Sequence, residues 1–172
     1  MGLRYRLRQL WSNLTAGPLS DAARREVDAA LSPAERALFD DFSAADQWHS
    51  YRVLCDLRRA GYNNADLWAA ALLHDVGKTR FPLSAWDRTL IVLGAVLFPR
   101  RSVAWGQGRV DSWRRPFVVR ARHPQWGAEM AVAVGVGPVA VELIGRHQDK
   151  LAKAPGELTE LLRALQWGDD RN

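Results

Sequence analysis

Apolar residues recur at three- and four-residue spacing along nearly the whole chain, the period of an amphipathic helix and not the alternation of a strand. In LRYRLRQLWSNL, Leu3, Leu7, Leu10, Trp11 and Leu14 fall on one stripe with arginines between them. Gly17-Pro18 breaks that segment. Ser20 or Asp21 then caps a helix to about Leu31. In LSPAERALFDDF, Ser32 stands at the N-cap, Pro33 at N1 and Glu35 at N3, a capping box. Further helices are expected from about Ala45 to Arg59, before Gly61, and from about Asn64 to Val76, where Gly77 stops the run. SAWDRTLIVLGAVLF reads as a helix capped by Ser84 and ended by Pro99. Pro124 and Pro138 each sit at a first helical turn, the first helix stopping at Gly135 and the second at about His147. GELTELLRALQWGDD closes the chain as a last helix. Residues 99–115 carry glycines, arginines and two tryptophans with little periodicity, and read as an exposed connection of about 17 residues. No repeat, heptad run or strand appears, so the expected fold is an all-α, single-domain bundle of about eight or nine helices.

Composition supports one globular domain: 172 residues, 48% of them hydrophobic. The formal charge is +5, and of 24 cationic residues only Lys78, Lys150 and Lys153 are lysine. A mild positive balance suits anionic ligands, but also an ordinary arginine-rich soluble protein, the plainer reading. In a chain so poor in lysine, Lys78 stands out. Cys55, the single cysteine, sits among Val53, Leu54 and Leu57 and reads as a small buried hydrophobe in a reducing compartment. MGLRYRLRQLW is basic but no apolar stretch of a secretory signal follows, and Arg6 stands where a myristoylation signal needs Ser or Thr. The longest apolar run, Leu90 to Phe98, is too short to span a bilayer, so a cytoplasmic location is expected. Trp48, Trp68, Trp126 and Trp167 lie on helical stretches and are expected in or near the core. Trp86, Trp105 and Trp113 could form an interfacial belt with Leu90 to Phe98 and the basic N-terminal helix; helix-on-helix packing is the favoured reading, so a membrane-surface contact is not.

The chemistry concentrates in AALLHDVGKTR, where His74 and Asp75 stand side by side at the end of an apolar run, followed by Gly77 and Lys78. The chain has only four histidines, His49, His74, His123 and His147, each on an expected helix or at its edge. One such histidine alone would be structural. Four in this order, with Asp169-Asp170 in the last helix, suggest a common site. Imidazole and carboxylate suit Mn, Fe, Co, Ni, Zn or Mg, not soft Cu(I) or an iron–sulfur cluster. A carboxylate can bridge two cations and an imidazole cannot, which makes Asp75 the natural centre. No nucleophile elbow, P-loop or Rossmann glycine pattern competes with this reading.

His49, HDVGK at 74–78, HPQWGAEMA at 123–131, RHQD at 146–149 and LLRALQWGDD at the end together resemble the HD superfamily of metal-dependent phosphohydrolases. The resemblance covers roughly residues 45–170 and makes 1–44 an N-terminal helical extension packed on an HD-type metal-binding domain at 45–172. It implies that His49, His74, Asp75 and Asp169, with Asp170 as the alternative to Asp169, form the basic metal set. His123 and His147 match the two extra histidines of the binuclear subfamilies, in which the Asp bridges two divalent transition-metal ions. The implied activity is hydrolysis of a small phosphomonoester or phosphodiester, a nucleotide among the candidates, by a metal-activated water. Asp75 and Lys78 are then the catalytic pair, with Lys78 on a substrate phosphate unless it only complements a helix dipole. Arg80 and Arg146 are weaker candidates for the phosphate, and Asp46 could orient a ligand histidine. The Gly-Tyr-Pro element of the cyclic-di-GMP phosphodiesterase branch is missing, and Gln148 stands where that branch has an acid. A di-iron oxygenase on the same ligands and a non-catalytic metal or nucleotide sensor are the alternatives. Nothing in the chain indicates DNA as a partner.

Overall fold

The computed structural model describes residues 17–151 and 156–172; the expected helix over 3–14 lies outside them. Among the described residues the chain forms nine α-helices and no strand, an all-α single domain. They are α1 (Asp21–Ala30), α2 (Pro33–Asp40), α3 (Ala44–Arg59), α4 (Ala65–Leu73), α5 (Ala85–Leu97), α6 (Pro99–Trp105), α7 (Arg115–Ala133), α8 (Pro138–Arg146) and α9 (Glu157–Arg171). A 3-10 turn, Val76–Arg80, follows α4.

The starts of these helices are fixed by side chains that satisfy the orphan amides of a first turn. Ser20, Ser32, Ser43, Asn64 and Ser84 each accept from a backbone N–H three residues on. Ser32 and Glu35 complete a capping box, as do Ser84 and Asp87.

At the centre lies α4. Its sequence ADLWAAALL is apolar nearly all round, the signature of an enclosed helix, and Leu67, Ala69, Ala70, Ala71, Leu72 and Leu73 are buried. The alanines let α3, α8 and α9 approach it closely. Val27 and Leu31 of the first helical segment and Phe39 and Phe42 of the second enter the same core. α7 packs on the 3-10 turn and on α8, while α5 and α6 lie against α7.

Three sequence expectations need correction. Residues 99–115 are not one loop: Pro99 ends α5 and also opens α6, because a residue that lacks an N–H suits N1 as well as a stop. Pro124 does not open a helix but lies inside α7, which begins nine positions earlier at Arg115 with Pro116 in its first turn. The helix expected to run to Val76 ends at Leu73 and tightens into the 3-10 turn. Two side chains also sit further out than their neighbours suggest: Cys55 is half-buried and Trp167 is 41% exposed.

Candidate metal centre

Three helix ends and two helix interiors bring the candidate residues together. His74 is the C-cap of α4, with Asp75 next in the chain. His147 is the C-cap of α8, His123 lies inside α7, His49 on α3 and Asp169 in the last turns of α9. His74, Asp75, His123 and His147 are buried.

Two triads result. His49, His74 and Asp169 offer three ligand atoms within 4.8 Å of one another, and Asp75, His123 and His147 offer three more. The two carboxylate oxygens of Asp75 face different triads. Oδ2 lies 3.6 Å from His74 Nε2, while Oδ1 lies 3.2 Å from His123 Nε2 and 3.8 Å from His147 Nε2. Asp169 Oδ1 lies 3.0 Å from His49 Nε2 and 3.6 Å from His74 Nε2. Asp170, its neighbour, is exposed and takes no part in either triad.

The backbone decides how the imidazoles point. The last carbonyls of a helix lack intrahelical donors, and a carbonyl can only accept. His74 Nδ1 lies 3.0 Å from Ala71 O, and His147 Nδ1 lies 2.8 Å from Ile144 O, so each Nδ1 carries the proton and donates. His123 does the same in mid-helix. Pro124 has no N–H to give the Arg120 carbonyl, and His123 Nδ1 fills that gap at 3.0 Å while also reaching Val119 O at 3.0 Å. The His-Pro dipeptide therefore fixes the ring. All three imidazoles then turn Nε2 inward.

This supplies the test of whether a cation fits. Nε2 of His123 and Nε2 of His147 lie 3.2 Å apart, and those of His49 and His74 lie 3.3 Å apart. Ring nitrogens this close, beside two carboxylates, repel one another as acceptors unless a positive charge, a proton or a metal ion, sits among them. The Gln148 amide is a distant donor to His123 Nε2, at 3.4 Å. The titration behaviour agrees. Burial works against charge on His74, but Asp75 and then Asp169 outweigh it and push the imidazole up to about 9. Burial, and then the charge on His74, push His147 down to about 3. Asp75 is held well below the usual carboxylate range: burial opposes its ionisation, and Lys78 and His74 overcome it. The cluster draws in positive charge, and divalent ions held by imidazole and carboxylate answer that demand.

Gly77 has a different task from the one its sequence position suggests. Its φ is not positive. A Cβ there would lie 2.0 Å from His123 O and 2.6 Å from Gly127 N. The glycine lets the 3-10 turn touch the backbone of α7, which brings Asp75 to His123.

Lys78 Nζ donates to Asp75 Oδ2 at 2.5 Å. Asp46, one turn before His49, makes no hydrogen bond or ion pair with a described histidine; it receives both terminal nitrogens of Arg88 at 3.0–3.1 Å. Burial works against its charge, and Arg88 still holds the carboxyl below its usual range. Arg80 pairs with Glu129, and Arg146 with Glu142 and Asp149. A cavity of about 160 Å³ opens onto the site, lined by Ala45, Asp46, His49, Arg52, Asp75, Lys78, Arg88 and Asp169. A larger cavity of about 850 Å³, around Trp113 and Trp126, contains none of the six triad residues in its wall. Sequence reasoning missed Arg52 and Arg88. Arg52 stands three residues after His49 and so shares its helix face, a signal submerged by the abundance of arginine. Arg88 is placed by tertiary contact alone.

No curated protein and no solved structure matches the chain. The family model of the HD domain matches residues 48–170, which include every residue of both triads. That match spans well over half the chain and ends on the helix that carries Asp169. With side chains able to hold divalent ions at the positions it covers, the protein belongs to the HD domain family, within the metal-dependent hydrolase superfamily.

Proposed function

We propose that the protein is a metal-dependent phosphohydrolase, working in the cytoplasm on a small phosphomonoester or phosphodiester such as a nucleotide. The observation that carries this reading is the cluster of inward-facing acceptors at the floor of a cavity lined with Arg52, Lys78 and Arg88. His49, His74 and Asp169 would hold one divalent ion and Asp75, His123 and His147 a second, with one oxygen of Asp75 available to each. Bound there, the ions would supply the acidity that ionises water near neutral pH and positive charge for a phosphoryl group.

The chain's own residues do the rest. Arg52 lines the cavity and makes no hydrogen bond or ion pair to another described residue, so its guanidinium is free to grip phosphate oxygens in a fork. Lys78 offers a compact charge at the same mouth. Arg88, clamped by Asp46, forms a fixed positive wall. The cavity is smaller than the roughly 300–1,000 Å³ that encloses a drug-sized ligand. It therefore takes the phosphoryl end of a substrate and leaves the remainder outside.

The test is phosphate release from a panel of phosphate esters by the wild type and by Asp75→Asn, with circular dichroism beside it. Asp75→Asn should lose turnover and keep its helices. Full turnover by a folded Asp75→Asn rejects the reading. Dioxygen uptake without phosphate release would replace it with the oxygenase chemistry.

A further inference from the structure

α5 presents an anomaly. From Leu90 to Leu97 it carries no charged residue, yet Gly94 is its only buried position, and α6 buries none. So apolar a helix is normally enclosed. Among the described residues, thirteen large hydrophobic side chains are exposed, and eight of them lie between Trp86 and Trp113. Val103 is 70% exposed, Trp86 67%, Val96 65% and Leu97 62%.

This surface is well supported from beneath. Gly94 meets the Phe117 ring so closely that a Cβ would lie 2.5 Å from it. Trp105 packs edge-on against Phe117, centroid to centroid 4.9 Å. The capping box of Ser84 and Asp87 fixes the start of α5. The outward face is thus held in shape by contacts on its inner side.

The charge of the same segment says what would cover it. Residues 85–115 contain six arginines, two aspartates and no lysine or glutamate, a net +4 of the chain's +5. Both aspartates are already taken: Asp87 by Arg115 at 2.9 Å and Asp111 by Arg109 at 2.6 Å. Arg100, Arg101 and Arg114 make no ion pair with a described residue. Arg101 and Arg114 lie over the rings of Phe98 and Trp113. Tryptophan and arginine interleaved with aliphatic side chains suit a bilayer interface.

We infer that the α5–α6 pair docks this protein on an anionic lipid surface. A second copy would set one face bearing Arg100, Arg101 and Arg114 against another. The basic segment 1–14, with Arg4, Arg6 and Arg8, has the same sign. An anionic bilayer accepts both the apolar side chains and the charge. The helices lie on the bilayer and do not span it: α5 has 13 residues, about 20 Å of helix against about 30 Å of hydrocarbon. No helix among the described residues is long and apolar enough to cross a membrane. Through Arg88 and Asp46, the docked helix also stands at the rim of the site cavity. The inference goes beyond the proposed hydrolysis and does not require it.

The experiment is vesicle flotation of the full chain, with phosphatidylcholine alone and with phosphatidylcholine containing phosphatidylglycerol, at low and high salt. The wild type should partition at least about tenfold more strongly to the anionic vesicles, and salt should weaken it. A Val96→Glu/Leu97→Glu variant should lose that partition with an unchanged circular dichroism spectrum. Should it fail to fold, Arg100→Ser/Arg101→Ser serves instead and should reduce anionic partition. Absence of vesicle binding by the wild type overturns the inference, as does equal binding by a folded variant. A dimer that Val96→Glu/Leu97→Glu dissociates, in a protein that ignores vesicles, overturns it in favour of a second copy.

Discussion

Gly77→Ala changes one methyl group and should reach both the fold and the metal centre. The new Cβ would lie 2.0 Å from His123 O, 2.6 Å from Gly127 N and 2.9 Å from His123 C. Contacts of a Cβ shorter than 3.0 Å are essentially never seen, so the 3-10 turn must withdraw by at least 1.0 Å, the difference between 3.0 and 2.0 Å. All three obstacles are backbone atoms of α7, and no side chain can rotate aside. Asp75 sits two residues before the clash, and its Oδ1 lies 3.2 Å from Nε2 of His123. Metal–ligand distances hold to about 0.2 Å, so a shift of this size removes Asp75 from its triad. The expected stability loss is toward the upper end of the roughly 1–3 kcal/mol typical of overpacking. Urea denaturation and metal content measure the two effects. Gly17→Ala is the control: nothing lies within 4 Å of its Cβ position, and it should cost less than about 0.5 kcal/mol. A Gly77→Ala protein with the wild-type midpoint and a full complement of metal would refute the packing argument.

Lys78→Ala should lower kcat/KM on phosphate esters by about 1.5–3 kcal/mol, the scale of a charge-assisted hydrogen bond, nearer the lower figure because the side chain is 30% exposed. Its metal content should not fall; normal kinetics with a lowered denaturation midpoint would leave Lys78 a structural partner of Asp75. Arg52→Ala should raise KM with an unchanged midpoint, since Arg52 has no partner among the described residues; an unchanged KM removes it from the substrate. Asp46→Asn should destabilise the protein by an amount that depends on pH. The folded carboxyl titrates below its unfolded value of about 3.9, so its contribution is complete above that pH and is lost as pH falls through the folded pKa. Denaturation midpoints of wild type and variant should converge in acid, and a constant gap at all pH values would contradict the Arg88 pairing.

Much of this protein is legible in its sequence because local rules decide it. Ser32, Pro33 and Glu35 form the expected capping box, and Pro138 opens its helix as read. The order of four histidines and Asp75 pointed to one site because few other residues in the chain could do that chemistry. What was not legible depends on contacts between distant segments. Gly77 looked like a helix stop, and its packing on His123 and Gly127 is visible only once α7 is in place. Pro124 looked like a helix start, and it is tolerated inside α7 because His123 takes the carbonyl that proline cannot serve. Arg88 reaches Asp46 across 42 positions of sequence. The exposure of α5 depends on which described elements pack against it, which periodicity cannot reveal.

Protein purified without chelator should contain about two divalent transition-metal ions per chain, as a binuclear site requires. Diffraction at the metal absorption edge should place one ion on His49, His74 and Asp169 and the other on Asp75, His123 and His147, with Asp75 between them. Metal-free protein that takes up no ion on titration, or an ion bound away from these six side chains, would contradict the account.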